Sequence, residues 1–171
     1  MILPTSARLG IQAGVGLIEW PEEVRRTMGK PDSQQIGLAG EYYVAFVLSR
    51  LGYDIGITIG RAKIFDMVAV APSGKEINIQ VKATYSAYVW LVSHRRFSTS
   101  KNSVVALVRL DKYPTEKPEL YFLPGEKAND YTSDKYKTHS DFIKRTEVRR
   151  KFKDHDFRLI ERLLGKPGEG N

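Results

Sequence analysis

The stretch FDMVAVAPSGKEINIQVKAT, residues 65–84, reads as two strands around a tight turn, yet it sets Asp66, Gln80 and Lys82 among apolar residues. The segment from Ala71 to Lys75 suits a three-residue hairpin loop, with Pro72 and Ser73 in a type I turn and Gly74 in the left-handed region. That loop pairs Ala71 with Lys75, Val70 with Glu76, Val68 with Asn78 and Asp66 with Gln80. Strand side chains alternate with a period of two, so Asp66, Gln80 and Lys82 share one face. Ile77, Ile79 and Val81 point the other way, into a core. A slip of one residue would scatter the polar cluster.

Upstream of the hairpin the spacing predicts a helix over residues 36–51. Val44, Val47, Leu48 and Leu51 repeat at helical intervals, Asp32 or Ser33 can cap the start, and Gly52 can close the end. Glu41 falls on or beside the apolar stripe of that helix, and Gly40 lets the backbone approach a neighbour closely. An unpaired carboxylate there costs several kcal/mol (roughly 2–7 for a polar group). It therefore faces a cation or donor, or it is an edge glutamate bonded to a Tyr or Arg. Downstream, YVWLV, VVALVRL and ELYFLP are short, β-branched or aromatic, and bounded by Gly, Pro or charge, so they read as strands. From about His139 to the end the pattern reads as one or two helices, with Phe142, Val148, Phe152, Phe157, Leu159, Ile160 and Leu163 on an apolar side. The order of helix, strands and helix predicts an α/β (α+β) domain with a central mixed sheet covered on both faces. Residues 1–35 are read as an N-terminal extension with one short helix near Pro21, residues 36–124 as the core, and residues 125–171 as a basic, largely helical C-terminal region.

A chain of 171 residues with 42% hydrophobic and 11% aromatic residues can bury a core. Its net charge of +7 suits a polyanionic partner. There is no cysteine, which excludes disulfides, zinc-thiolate sites and cysteine nucleophiles. No apolar run approaches the ~18–20 residues of a membrane helix, and the first residues do not resemble a signal peptide. The expectation is a soluble cytoplasmic protein with no membrane partner and no small-molecule cofactor. His94, His139 and His155 are too dispersed for a metal triad, and Gly14-Val15-Gly16 is not a phosphate loop.

A helical Glu, a strand Asp and a second strand closing on x-x-K, carried here by GEYYVAFVLSRLGYDI, by residues 65–84, and by the later VVALVRLDK and ELYFLP, resembles the PD-(D/E)xK nuclease superfamily. The similarity is to its archaeal Holliday-junction resolvase-like branch and to related homing endonucleases, and it spans residues 36–124. Phe65 stands where that pattern writes proline, and Gln80 where it writes Asp or Glu; a minority of members carry Q-x-K. The resemblance implies a restriction-endonuclease-like core and a Mg²⁺-dependent endonuclease hydrolysing DNA, with Mn²⁺ as a possible substitute. The catalytic set would be Glu41, Asp66, Gln80 and Lys82, with Asp66, the Gln80 oxygen, the Val81 carbonyl and Glu41 on the metal. Lys82 would orient water or hold the scissile phosphate. The alternative it leaves open is a nuclease-fold DNA-binding or assembly protein that has lost hydrolysis. Partners would be DNA and further copies of the chain, as a homodimer or homotetramer.

Candidate DNA contacts are Arg61 and Lys63 ahead of the Asp66 strand, Thr84 and Tyr85 (with Tyr88) after the Lys82 strand, and His94, Arg95, Arg96 and Lys101 in a later loop. Residues 144–166 hold nine Lys/Arg against four acids. They either track a phosphate backbone or form the wet side of a packing helix.

Overall fold

The computed structural model describes residues 29, 31–58, 65–92, 97–111, 117–133 and 141–166. The expected first helix is α1, Ser33–Arg50. It begins three residues early because Asp32 closes a capping box. The Asp32 carboxylate accepts the Gln35 N–H at 2.8 Å, and the Gln35 side chain accepts the Asp32 N–H at 3.0 Å. The helix ends on Gly52 at φ +89°. There the Gly52 N–H donates to the Ser49 carbonyl and the Tyr53 N–H to the Leu48 carbonyl, closing a Schellman motif.

Six strands follow: β1 Asp54–Ile57, β2 Met67–Val70, β3 Glu76–Thr84, β4 Val89–Val92, β5 Ser103–Arg109 and β6 Glu119–Pro124. Five of them make one sheet in the order β1-β2-β3-β5-β6, and within it only β3 and β5 run parallel. The hairpin turn is the one the residues specify. Gly74 takes φ +79°, its N–H donates to the Ala71 carbonyl, and the Ala71 N–H donates to Lys75, each at 2.8 Å. Val68 lies opposite Asn78 and Val70 opposite Glu76.

The inward face of β3 (Ile77, Ile79, Val81) packs with Val44 and Leu48 of α1 and with Ile160 and Leu164, which sit on a late helix, Arg158–Leu164. Burying each such side chain is worth ~1.5–3 kcal/mol. Two glycines inside α1, Gly37 and Gly40, cost only about 1 kcal/mol each against alanine. Packing therefore decides that this segment is helical.

The opposite face of the sheet carries a second core of Val105, Leu107 and Leu123 with Trp90, Ile143 and Val148. A small sheet of order β4-β8-β7 supplies much of it, β7 being Thr132–Ser133 and β8 Asp141–Lys144. The Trp90 Nε1–H ties β4 to the main sheet by donating to the Val108 carbonyl at 2.8 Å. The reading of helix from His139 onward is corrected here: Asp141–Lys144 is a strand pairing antiparallel with β4, Trp90 opposite Ile143. A four-residue strand with two adjacent apolar residues is too short to display alternation. Its neighbours have helical spacing, and they do form helices: α3 Arg145–Lys151 and α4 Arg158–Leu164, after the short α2 Gly125–Ala128. The architecture is α/β, a central mixed sheet flanked by helices, with the second sheet as an addition. No helix among the described residues is long and apolar enough to cross a membrane.

Candidate functional site

Gln80 and Lys82 share one face of β3, both half-buried, with Val105 and Leu107 as their ladder partners on β5. Asp66 does not pair squarely with Gln80. The β2–β3 ladder closes at Met67 opposite Ile79, and the Asp66 N–H also donates to the Ile79 carbonyl at 3.0 Å. Residues 66 and 67 thus face one residue of β3, as in a β-bulge, a device that re-aims a side chain and ends pairing. The freed Asp66 carboxylate turns to the strand edge, where its Oδ2 accepts the Val81 N–H at 2.7 Å. A strand residue directs its N–H and C=O to the same edge, so the Val81 carbonyl opens toward the same gap.

Thr58 pins the bulge from the other side. Its hydroxyl donates to the carbonyls of Phe65 and Asp66 at 3.0 Å, and its N–H donates to the Asp66 carbonyl. Thr58 is a positioning residue that sequence reasoning missed. Its place inside the apolar segment YDIGITIG, residues 53–60, gave no local signal.

Glu41 arrives from α1. A Cβ on its neighbour Gly40 would overlap the Cβ of Ala83, so α1 lies directly against the strand that bears Lys82. Burial first, and then the charge of Asp66, push the Glu41 carboxyl above its ordinary range, while Lys82 pulls it partway back. Asp66 and Lys82 therefore both lie within electrostatic reach of Glu41, and Gln80 stands two residues before Lys82 on the same face. Among the described residues no hydrogen bond or ion pair is made by the Glu41, Gln80 or Lys82 side chains, so within them Glu41 has no bond to a Tyr or Arg. The candidate residues offer two carboxylates, an amide and a backbone carbonyl, with the ammonium of Lys82. A carboxyl whose charge is disfavoured by burial and by a second carboxylate fits a hard divalent cation, and Mg²⁺ needs only one or two carboxylates. No cluster of three His, Cys, Asp or Glu occurs among the described residues.

The outlying candidates divide. Lys101 is exposed in the turn before β5, at the level of Asn78, whose N–H donates to Asn102, and so stands off from the cluster. Thr84 Oγ1 accepts the Ser86 N–H, and Tyr85 packs partly buried against the α1-side core and is not fully presented to solvent. Tyr88 is 78% exposed. Arg61, Lys63, His94, Arg95 and Arg96 lie outside the described residues, as do nearly all of the N-terminal extension and the expected helix near Pro21.

Beyond Thr84 the sheet carries an ion network absent from the sequence reading. Arg145 binds Glu119 through two guanidinium nitrogens, Arg109 lies 3.8 Å from Glu119 and 3.3 Å from Asp111, and the Tyr121 hydroxyl donates to Glu119 at 3.0 Å. These bonds, above all those from Arg145 and Tyr121, outweigh burial and hold Glu119 below the usual carboxylate range. Burial and the bond to Glu119 push Tyr121 up to about 12.

No protein-family profile matches the chain, and no curated protein matches it. Among solved structures it is similar to a bacterial homing endonuclease, I-Ssp6803I, with a TM-score of 0.46 and 13% identity over 77% of this chain and 93% of that one. A likeness at that level does not define a fold. The class, a mixed α/β sheet domain with a polar cluster where its hairpin parts, rests on the strand order and contacts above.

Proposed function

We propose that this chain is a Mg²⁺-dependent endonuclease hydrolysing DNA phosphodiester bonds, with Mn²⁺ as a substitute. The observation that carries the reading is that Asp66, turned to the gap where β2 and β3 separate, and Lys82 both lie within electrostatic reach of Glu41. Asp66, Glu41, the Gln80 side-chain oxygen and the Val81 carbonyl would hold the ion. When bound, the ion supplies neutralisation of charge on the pentavalent phosphoryl transition state and acidifies a bound water. Hydrolysis forms one P–O bond from water and breaks one ester P–O bond. Lys82, a cation with three donors and no acceptor, holds the scissile phosphate or the attacking water and stabilises the growing negative charge. The Val81 N–H and Thr58 fix Asp66, so the site requires little reorganisation. Two strands need two such centres, which favours a homodimer or homotetramer.

Cleavage of duplex, junction and single-stranded DNA in Mg²⁺ or Mn²⁺ tests the reading. EDTA is expected to abolish it, and Asp66→Ala or Lys82→Ala to reduce it at least 100-fold with unchanged melting. Cleavage surviving both substitutions contradicts it. Gln80 in the third acidic place favours a second reading, a nuclease-fold protein that binds DNA without hydrolysis. That reading expects salt-sensitive binding, no product with either ion, and no activity gained by Gln80→Glu.

A further inference from the structure

Helix α1 is apolar on two sides. Gly40, Val44 and Leu48 face the sheet, while Leu38, Tyr42 and Phe46 are 46%, 57% and 61% exposed. At 100° per residue the centres of these two stripes lie roughly 160° apart. Scattered exposed apolar residues are ordinary, but three large ones in a row at i, i+4 and i+8 form a patch. The helix is poor in charge: of its 18 residues only Glu41 and the last, Arg50, are charged, in a chain that is 27% charged.

We infer that the Leu38–Tyr42–Phe46 face of α1 is a contact surface for a second copy of this chain. Electrostatics selects that occupant. A nucleic acid requires several cations at its contact, and among the described residues this face offers one, Arg50 at its C-terminal end. Two copies carrying +7 each repel through most surfaces, and a two-fold contact sets a patch against itself, so a patch low in charge at its centre suits it. Tyr and Phe with depleted charge is also the composition of an interface centre. An 18-residue helix offers a face roughly 27 Å by 10 Å, below the ~800 Å² per partner of a standard interface. Association is therefore expected at micromolar concentration. Glu41 lies on the flank between the two stripes, about 60° from Leu38, so pairing through α1 brings two candidate sites to one interface. That consequence rests on the function proposed above; the surface itself does not.

Sedimentation velocity of the full chain from ~1 to ~200 µM, with EDTA and no DNA, tests this independently of cleavage. The expected result is a shift toward the dimer with rising concentration, at least a tenfold weaker shift for Phe46→Glu, and unchanged melting of that variant. Should Phe46→Glu fail to fold, Tyr42→Ser gives the same readout with a smaller weakening. A wild type that stays monomeric throughout overturns the inference, as does equal dimerisation of the folded variants. A monomer whose melting point falls on Phe46→Glu overturns it too, and assigns the stripe to another segment of the same chain.

Discussion

A single methyl group separates Gly40 from a clash with Ala83. Glycine inside a helix is ordinarily the weaker choice, so Gly40→Ala would gain about 1 kcal/mol of helix propensity. Here the added carbon meets a rigid Cβ on a packed strand, and overpacking costs ~1–3 kcal/mol. The overlap wins: Gly40→Ala is expected to lower the melting temperature by several degrees and to lift Glu41 from the cluster, whereas Gly37→Ala, with open space around it, should not. Parallel thermal melts and cleavage assays of the two variants check this. The same scale shows what the residues disclosed. Gln80 and Lys82 were legible because alternation along β3 puts them on one face by geometry alone. The bulge at Asp66 was not, because it depends on the Asp66 carboxylate capturing the Val81 N–H and on Thr58 bonding residues 65 and 66 from the neighbouring strand.

Between elements, the contact of α1 with the chain ahead of α4 is set by His155, which adopts φ +53°. Its Nε2 lies 2.8 Å from the Tyr43 hydroxyl of α1, its Nδ1 lies 2.7 Å from the Asp154 carboxylate without hydrogen-bond alignment, and Asp154 also accepts the Leu120 N–H. Burial, aided by Lys117 and opposed by Asp154, holds the imidazole below its ordinary value of 6.5. The unfolded chain then takes up the proton before the folded one. Stability is fully present above the unfolded value and is lost as pH falls from there through the folded one. Melting at pH 5.5 is expected below that at pH 7.5, and His155→Asn, which tolerates the left-handed backbone, should flatten the difference. At this scale α1, its cap and its Schellman close were readable, as were the hairpin and β5. The strand at Asp141–Lys144 was not, because its identity comes from pairing with β4 across some fifty residues of sequence, and no local pattern specifies a four-residue strand.

For the whole molecule the relevant quantity is charge. Arg149, Arg150, Lys153 and Arg162 are exposed along α3, α4 and their connection, and Lys166 just beyond α4, while Arg158 is paired with Asp156 and Lys151 sits over the Tyr131 ring. If the C-terminal cations meet phosphates, each contact contributes about 0.9 to the slope of log affinity against log salt. Arg149→Ala with Arg150→Ala is expected to reduce that slope by about 2 and to leave the melting temperature unchanged. An unaltered slope returns these residues to a solvated face.

The most direct test of the centre itself is the Mg²⁺ dependence of single-turnover duplex cleavage by the wild type and by Gln80→Glu. Restoring a carboxylate adds one negative charge among oxygen donors. Both proteins are expected to cut, with half-saturation at lower Mg²⁺ for Gln80→Glu. Absence of product from both, across the full range of Mg²⁺ and of Mn²⁺, would contradict a hydrolytic centre built on Glu41, Asp66, Gln80 and Lys82.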